Sequence, residues 1–276
     1  MHLKSTCPLL VVIILVGGCE IAHAQLRAPV IDVNNEFGIA AQGFMQSYSE
    51  TVMSRTFDSE NGTVPGFEVK ASTMQNGFGI DNIYAGIRYQ FDQGNVAYNG
   101  ANLFTRAPLQ GTTNYSVSDL GIELGKGFLL SENVLITPFV QGGWRDWRRA
   151  LSAAQVEDYT HYYVGGGVRG DLGITPRMVL TGRLGIAETF DPSMTATASP
   201  GLGLPPRMTF ALGSAPLFQA GVGADYRFYQ QIHLYGGVDY SHFSYGSSAI
   251  NSLGFNEPSS TSDEVVFRLG LAYQFL

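Results

Sequence analysis

The sequence predicts an all-β fold, a transmembrane antiparallel up-and-down β-barrel of about ten strands. Apolar and polar residues alternate along most of the chain after residue 34. After residue 24, nothing approaches the roughly eighteen consecutive apolar residues that a spanning helix needs. The chain is 45% hydrophobic but only 14% charged, with 34 glycines and 14 tyrosines. A soluble β-sandwich also alternates, but its polar face is expected to carry Lys and Glu rather than Gly and Gln.

Period-two segments, joined by short and long connections in alternation, place the ten strands. Their predicted bounds are 35–51, 63–75, 78–91, 115–128, 134–147, 158–172, 177–188, 215–229, 231–246 and 262–276. Long loops are predicted near 52–62, 92–114, 148–157, 188–214 and 247–262, and the 188–214 loop, rich in proline, is expected to be mobile. An eight-stranded barrel, with the first segment as an extension, is the alternative. Twelve strands would require a long loop to be split.

The first 24 residues have the layout of a secretory signal peptide. Lys4 precedes an apolar stretch, Leu9 to Val16, and Ala22-His23-Ala24 forms a small-x-small cleavage site before Gln25. An alternative is a lipobox at residues 16–19, in which Cys19 would be acylated. The predicted organisation is a signal peptide at 1–24, a short N-terminal segment at 25–34 and an outer-membrane β-barrel domain at 35–276.

Composition excludes several classes of function. Both cysteines precede Gln25, so the mature chain would contain no disulfide, iron–sulfur cluster or cysteine nucleophile. The net charge of −7, with no block of Lys or Arg, argues against a nucleic-acid partner. Both termini and the short turns are expected to be periplasmic, and the long loops extracellular. Aromatic residues near strand ends, including Tyr89, Phe91, Phe128, Trp144, Trp147, Tyr159, Tyr226, Phe228 and Tyr273, are predicted to form interfacial girdles.

The C-terminal strand carries the sharpest family mark, with Val265, Phe267, Leu269, Leu271, Tyr273 and Phe275 alternating along one face. In this pattern the chain resembles the small bacterial outer-membrane β-barrel proteins over essentially all of its mature length. That family usually ends in the aromatic residue, whereas Leu276 follows Phe275 here. The resemblance implies a Gram-negative outer membrane, contact with its lipids and lipopolysaccharide, recognition by the barrel-assembly machinery, and a monomer. It implies a structural or surface-exposed role, or a narrow, porin-like pore.

Alternation also places charged side chains on the inner face of the barrel. They are Arg88, Glu123, Arg145, Arg169, Asp171, Arg183, Asp225, Arg227, Asp239 and Arg268. Because a barrel of eight to ten strands is largely filled by side chains, these groups are expected to pair with one another and close the lumen. A narrow or ligand-binding channel lined by Arg is the alternative. Residues 165–170 formally satisfy GxGxxG but lie inside a strand, so their glycines are expected to make room for large tyrosines on adjacent strands or to ease strand bending.

The motif with the clearest chemistry is His242-Phe243-Ser244 near the end of the ninth predicted strand. A separation of two puts His242 and Ser244 on one face, predicted to be the lipid-facing one, where the imidazole would activate the hydroxyl. Glu257 and Glu264 are candidates for the carboxylate that orients the histidine. The arrangement is similar to the His-x-Ser site of lipid A deacylases, and it implies such an enzyme as the alternative function. In that family Asn follows the serine, whereas Tyr245 follows here.

Other candidate sites are weaker. An omptin-type protease would need paired acids and an Asp–His couple, but Asp158 and His161 are three residues apart and fall on opposite faces. Asp146 has no second acid beside it. His161 and His233 are isolated, and no cluster has metal-ligand spacing. Loop acids (Asp191, Glu257 and Asp263) are alternatives for binding divalent cations that bridge lipopolysaccharide. The sequence identifies no catalytic, cofactor-binding or metal-ligating residue and predicts no cofactor.

Overall fold

The computed structural model describes residues 28–52, 55–102, 105, 107–201 and 204–275. One short helix, α1 (Pro29–Asp32), precedes twelve strands. The strands are β1 (Glu36–Val52), β2 (Arg55–Gly77), β3 (Ile80–Ala101), β4 (Pro108–Lys126), β5 (Phe128–Ser131), β6 (Val134–Ser152), β7 (Gln155–Thr175), β8 (Met178–Ala198), β9 (Arg207–Ala211), β10 (Pro216–Tyr229), β11 (Ile232–Tyr245) and β12 (Ser259–Gln274). Among the described helices, none is long and apolar enough to cross a membrane.

Ten of these strands close into an antiparallel barrel, as the alternation predicted. Sequence neighbours pair around the ring, β8 pairs with β10, and the first strand, β1, pairs with the last, β12. The other two strands are extensions, because β5 continues β4 along β6, and β9 forms a hairpin on β8. Because the ring is closed, no barrel strand is left with an unpaired edge, and the backbone hydrogen bonds are made between neighbouring strands. The eight-stranded alternative is therefore wrong.

Six strands are clearly longer than predicted, namely β2, β3, β4, β6, β7 and β8, and the predicted long loops next to them are correspondingly shorter. β1 and β2 remain paired out to Val52 and Arg55, so most of the predicted 52–62 loop is strand. β6 ends at Ser152 and β7 begins at Gln155, which reduces the predicted 148–157 loop to a turn. The predicted 92–114 loop shrinks in the same way, between Ala101 and Pro108. Much of the 188–214 segment, expected to be a mobile loop, is strand in β8 and β9.

A change in the outward face explains these errors. A belt of exposed apolar residues surrounds the barrel: Phe37, Ile39, Ile87, Ile122, Leu124, Val140, Val164, Val168, Leu180, Leu184, Ile186, Val222, Leu234, Val238, Leu269 and Leu271. Beyond this belt the outward positions become polar, as at Asn61, Asn114 and Arg148, although strand pairing continues. The apolar–polar contrast that reveals a strand is lost there.

The two ends of the barrel differ. At the short-turn end, tight turns join β2 to β3, β5 to β6, β7 to β8 and β10 to β11. At the opposite, long-loop end, the strands extend past the belt and the longest connections lie at 199–206 and 246–258. Trp147 and Tyr159, predicted as girdle residues, are inside the barrel at 0% and 1% exposure. Both residues occupy inward-facing positions of their strands, and the lipid-facing positions are the residues directly before and after them.

Only part of the predicted N-terminal organisation falls within the described residues. The signal peptide predicted at 1–24 and the alternative lipobox lie outside the described residues, and both stay predictions. The segment at 28–34 does not trail away from the barrel. It places α1 at the short-turn end, where Val30 and Val33 pack against Met74, Tyr84 and Leu135 of three different strands.

Candidate functional site

The long-loop end of the lumen is organised around one arginine. Arg149 on β6 is completely buried, with a side-chain exposure of 0%. Its guanidinium lies 3.0 Å from Glu50, 3.0 Å from Glu60, 2.9 Å from Glu157 and 3.6 Å from Asp58. We call these five residues the Arg149 cluster. The four acids come from β1, β2 and β7. Of these strands only β7 is a neighbour of β6, so the cluster also connects β6 with β1 and β2 through the lumen.

If every acid of the Arg149 cluster were ionised, their negative charge would exceed the single positive charge of Arg149. Burial, and then the nearby Glu50 carboxylate, raise the pKa of Asp58 from its ordinary value to about 8. Glu257, in the loop before β12, also enters this region and accepts a hydrogen bond of 2.6 Å from Tyr159. Burial, followed by Glu50 and Glu157, raises the pKa of Glu257 well above its ordinary value. Both acids lie beyond the apolar belt, and near neutral pH we expect Asp58 to hold a proton.

Aromatic rings complete this closure of the lumen. Trp147 stacks on Tyr159 with ring centroids 4.9 Å apart and meets Tyr48 and Tyr115 edge-on at 5.0 and 5.2 Å. These four rings are between 0% and 1% exposed. Offset and edge-to-face ring pairs are favourable arrangements, and they leave little room between the strands. The barrel is therefore filled across its section at this level.

Between its two ends the lumen widens into a cavity of about 170 Å³. Charged side chains line it, and the pairs between strands that are not neighbours include Arg183 with Glu123 and Arg268 with Glu68. Arg169 pairs with Asp171 at 3.0 Å beside the same space. Most of the predicted inward charges therefore face the lumen and pair with one another, as expected from their low-dielectric surroundings.

The short-turn end of the lumen is closed by α1. Val30 is 0% and Val33 is 6% exposed. Asn34 donates a hydrogen bond to Asp171, and the Asn35 side-chain oxygen accepts one from the Met74 backbone at 2.8 Å. Apolar packing and amide hydrogen bonds thus hold the segment inside the barrel mouth.

A second buried cluster lies next to α1. Glu36 on β1, Asp225 on β10 and His233 on β11 each offer one ligand atom, and the three atoms are all within 4.8 Å of one another. Lys70 contacts Glu36 at 2.5 Å, and His233 Nδ1 lies 2.5 Å from Asp225. We call Glu36, Asp225 and His233 the carboxylate–histidine cluster. Glu36 is remote in sequence from Asp225 and His233, which are themselves 8 residues apart on the β10–β11 hairpin, so the spacing of residues along the chain did not reveal the cluster.

The third constellation lies on the outer face, just beyond the belt. His242 and Ser244 both face outward, because Phe243 and Tyr245 between and beside them are buried. His242 Nδ1 lies 2.8 Å from Asp263, which also accepts a hydrogen bond of 2.6 Å from Tyr240. Ser244 Oγ lies 3.3 Å from the Thr261 hydroxyl. The shared face that the sequence predicted for His242 and Ser244 is confirmed.

The predicted carboxylate partners of His242 are wrong. Glu264 points into the lumen, where it pairs with Arg145 and accepts a hydrogen bond of 3.0 Å from Ser241. Glu257 is buried against Tyr159, which also removes it from the acids available for a surface cation. The partner is Asp263, which faces His242 directly across the β11–β12 ladder. Cross-strand neighbours of this kind depend on register, which the sequence did not specify.

The Asp–His couple of an omptin-type site does not form between Asp158 and His161. Asp158 faces outward and pairs with Arg148 at 3.1 Å, whereas His161 is inside the barrel, 2.6 Å from the Tyr245 hydroxyl. The two residues lie on opposite faces of β7, as predicted from their separation.

No protein-family model and no curated protein matches this chain. Among solved structures, the outer membrane protease OmpT from Escherichia coli has a TM-score of 0.55 at 10% identity, covering 88% of this chain and 97% of that chain. A major outer membrane protein from Thermus thermophilus has a TM-score of 0.42 at 14% identity, covering 87% and 99%. The Yersinia pestis attachment invasion locus protein Ail has 0.33 at 12%, covering 88% and 99%. The chain has the fold of bacterial outer-membrane β-barrel proteins.

This likeness concerns the fold, and it confirms the resemblance that the alternation and the last strand predicted. Because a shared fold does not imply a shared function, the functional residues of this chain have to be identified from its own sequence and structure. The sequence missed Arg149, its acids, and the carboxylate–histidine cluster. The only local signal for Arg149 was its place in the inward-facing set of β6, two residues after Trp147.

Proposed function

We propose that this chain is an integral outer-membrane barrel with a structural or surface-exposed role and a lumen closed to ions. The apolar belt supports insertion in a bilayer, because alternate side chains would meet lipid while every strand stays paired. In this orientation the short-turn end is periplasmic and the long-loop end is extracellular. Outer-membrane lipids and lipopolysaccharide are then its surroundings, and the barrel-assembly machinery its partner during insertion. We propose a monomer.

One observation carries the closed lumen: buried side chains fill the barrel at two separate levels. The Arg149 cluster and its rings occupy the long-loop end, and α1 occupies the short-turn end. An ion crossing the barrel would have to displace both. The narrow pore, which was the alternative from the sequence, would therefore require two separate rearrangements.

Planar-bilayer recording tests this proposal. We expect no discrete conductance steps from the purified protein, whose folded state is checked by heat-modifiable migration on gels. Because the two closures are independent, a Val30→Asp and Val33→Asp double variant that releases α1 should also stay silent. Discrete steps from the folded wild-type protein would overturn the proposal.

A second candidate function is hydrolysis of an acyl ester at the outer face. The observation that favours it is the contact of 2.8 Å between His242 Nδ1 and Asp263. With Nδ1 engaged by the carboxylate, Nε2 is left to accept a proton. Ser244 lies two residues along the same face, at the edge of the belt, where lipopolysaccharide ester bonds would lie. This arrangement supplies the carboxylate–histidine couple that the lipid A deacylase resemblance implies.

The chemistry would be that of a serine esterase. Ser244 Oγ would bond to the ester carbonyl carbon while its proton passes to His242 Nε2. The ester C–O bond would then break, the leaving alcohol would take that proton, and water would release the acyl group from the serine. Ser244 would first have to turn away from Thr261, with which it is paired here. Tyr245 follows the serine but points inward, so it provides no oxyanion donor at this face.

Mass spectrometry of lipid A, from membranes with and without the protein, tests the second candidate. Loss of one acyl chain, abolished in Ser244→Ala and retained in the matched outward-facing variant Ser116→Ala, would support it. An unchanged spectrum in the presence of folded barrel would exclude the esterase and leave the structural role.

A further inference from the structure

The carboxylate–histidine cluster has the ligands of a metal site. One oxygen from each of Glu36 and Asp225 and one ring nitrogen of His233 converge within 4.8 Å. All three residues are buried, with exposures of 2%, 8% and 2%. Imidazole nitrogen together with carboxylate oxygen is a ligand set that Zn²⁺ and related first-row divalent ions accept.

Two oxygen atoms at this cluster are without a hydrogen bond. Among the described residues, Glu36 Oε2 and Asp225 Oδ2 are buried and have no hydrogen-bond partner. The other oxygen of each carboxylate is engaged, Glu36 Oε1 by Lys70 and Asp225 Oδ1 by His233. Leaving buried carboxylate oxygens unsatisfied is costly, and a bound cation would remove that cost.

His233 is oriented as metal-binding histidines usually are. Its Nε2 lies 3.2 Å from the side-chain oxygen of Gln274 on β12, which suits an Nε2–H donor. With one proton on Nε2, loss of the proton between Nδ1 and Asp225 would leave the Nδ1 lone pair available to a cation. A ligand histidine whose second nitrogen donates to a fixed acceptor is the common arrangement around metal ions.

We propose that Glu36, Asp225 and His233 bind a divalent transition-metal ion, with Gln274 positioning the histidine. The ion would replace the proton now shared between His233 and Asp225, so binding would release a proton. Two carboxylates balance its charge, and Lys70 keeps its contact with Glu36 Oε1. Glu36 and Asp225 also line the central cavity, so the ion would lie beside that space inside the lumen.

The position of this site suggests its role. The ligands come from β1, β10 and β11, and Gln274 comes from β12, so the ion would join four consecutive strands of the ring. This group includes the β1–β12 pair, where the two ends of the chain meet to close the barrel. The ion would therefore stabilise the closure seam at the short-turn end.

The test is metal binding by the untagged full-length protein, purified from membranes and stripped with a chelator. After equilibration with Zn²⁺ and removal of free ion, elemental analysis should find about one Zn²⁺ per folded chain, as expected for one ligand set. His233→Gln and Asp225→Asn should lose it, and Gln274→Ala should bind about 10- to 100-fold more weakly. His242→Gln, which alters the exposed histidine–aspartate pair, is the matched control and should keep the ion.

Folding is verified for each variant by heat-modifiable migration, and Glu36→Gln replaces any variant that does not fold. Unfolding in urea gives a second readout, since added Zn²⁺ should raise the midpoint of the wild type but not of folded His233→Gln. If the wild type retains no more Zn²⁺ than His233→Gln, the proposal fails, and Lys70–Glu36 and His233–Asp225 are then simply two ion pairs. This outcome would leave the closed-lumen proposal untouched.

Discussion

Arg149 Nε lies 3.0 Å from Glu60 Oε2, and both side chains are buried, with exposures of 0% and 1%. Arg149 is on β6 and Glu60 on β2, so this pair joins strands across the barrel rather than along one ladder. A buried pair of this kind has little net stabilising effect relative to an apolar replacement of both partners, but removal of one partner is expensive.

Replacement of Arg149 by Met is therefore expected to destabilise the barrel by about 3–5 kcal/mol, because several buried carboxylates lose the guanidinium that they share. Arg148→Met is the matched control. Arg148 is 51% exposed and pairs with Asp158 at the surface, where such a pair contributes about 0–1 kcal/mol. Urea unfolding in detergent micelles, followed by tryptophan fluorescence, measures both. Equal midpoints for the two variants would contradict the structural role of Arg149.

The long-loop end is expected to be more stable in mild acid than in mild base. The pKa of Asp58 is raised to about 8 in the fold, above its ordinary 3.8, so the folded state binds more protons than the unfolded state between those values. Stability is therefore highest at the acid side of this window and falls as pH rises through about 8. Glu257 acts in the same direction.

Hydrogen exchange of the segments around Asp58 and Glu257, compared at two pH values after correction for intrinsic exchange, measures this effect. Protection should be greater at the lower pH. Asp58→Asn, which is permanently neutral, should lose much of that pH dependence. Protection that rises with pH in the wild type would show the sign to be wrong.

Substitutions in the apolar belt should impair insertion. Val222→Arg and Leu269→Arg each place a charge among lipid tails, at a cost of about 2–4 kcal/mol near mid-bilayer. Val222 is 67% and Leu269 63% exposed, and both point outward. Asn61→Arg, outward-facing but beyond the belt, should insert normally. The amount of heat-modifiable barrel in membranes measures the difference, and wild-type amounts in both belt variants would refute the assigned face.

Tyr163 packs over Gly143 inside the barrel. The sequence predicted such a role for the glycines of 165–170, but a side-chain carbon added at Gly165 or Gly167 would meet strand backbone, Ala187 or Phe139 rather than a tyrosine. A side-chain carbon added at Gly143 would collide with the Tyr163 ring and with the backbone of Leu120. Gly143→Ala is therefore expected to destabilise the barrel by about 1–3 kcal/mol. Gly182→Ala is the control, because nothing lies within 4 Å of the added carbon there. A comparison of urea midpoints should rank Gly143→Ala well below Gly182→Ala. Indistinguishable midpoints would mean that the ring moves aside freely.

The sequence by itself determined the all-β class, the ten strands, the tight turns and the face on which most charges lie. It did so because lipid on one side and a packed lumen on the other impose a period of two, which is a local property of the chain. The outward placement of His242 and Ser244 followed from the same period.

Only the tertiary structure decided how far the strands extend beyond the belt and which side chains meet inside. Outside the belt the outward face is polar, so the period of two no longer distinguishes strand from loop. Contacts such as Arg149 with Glu60, His242 with Asp263, and Glu36 with His233 depend on ring closure and register. Each joins residues that are remote in the chain, and a one-residue change of register would turn one partner to the opposite face.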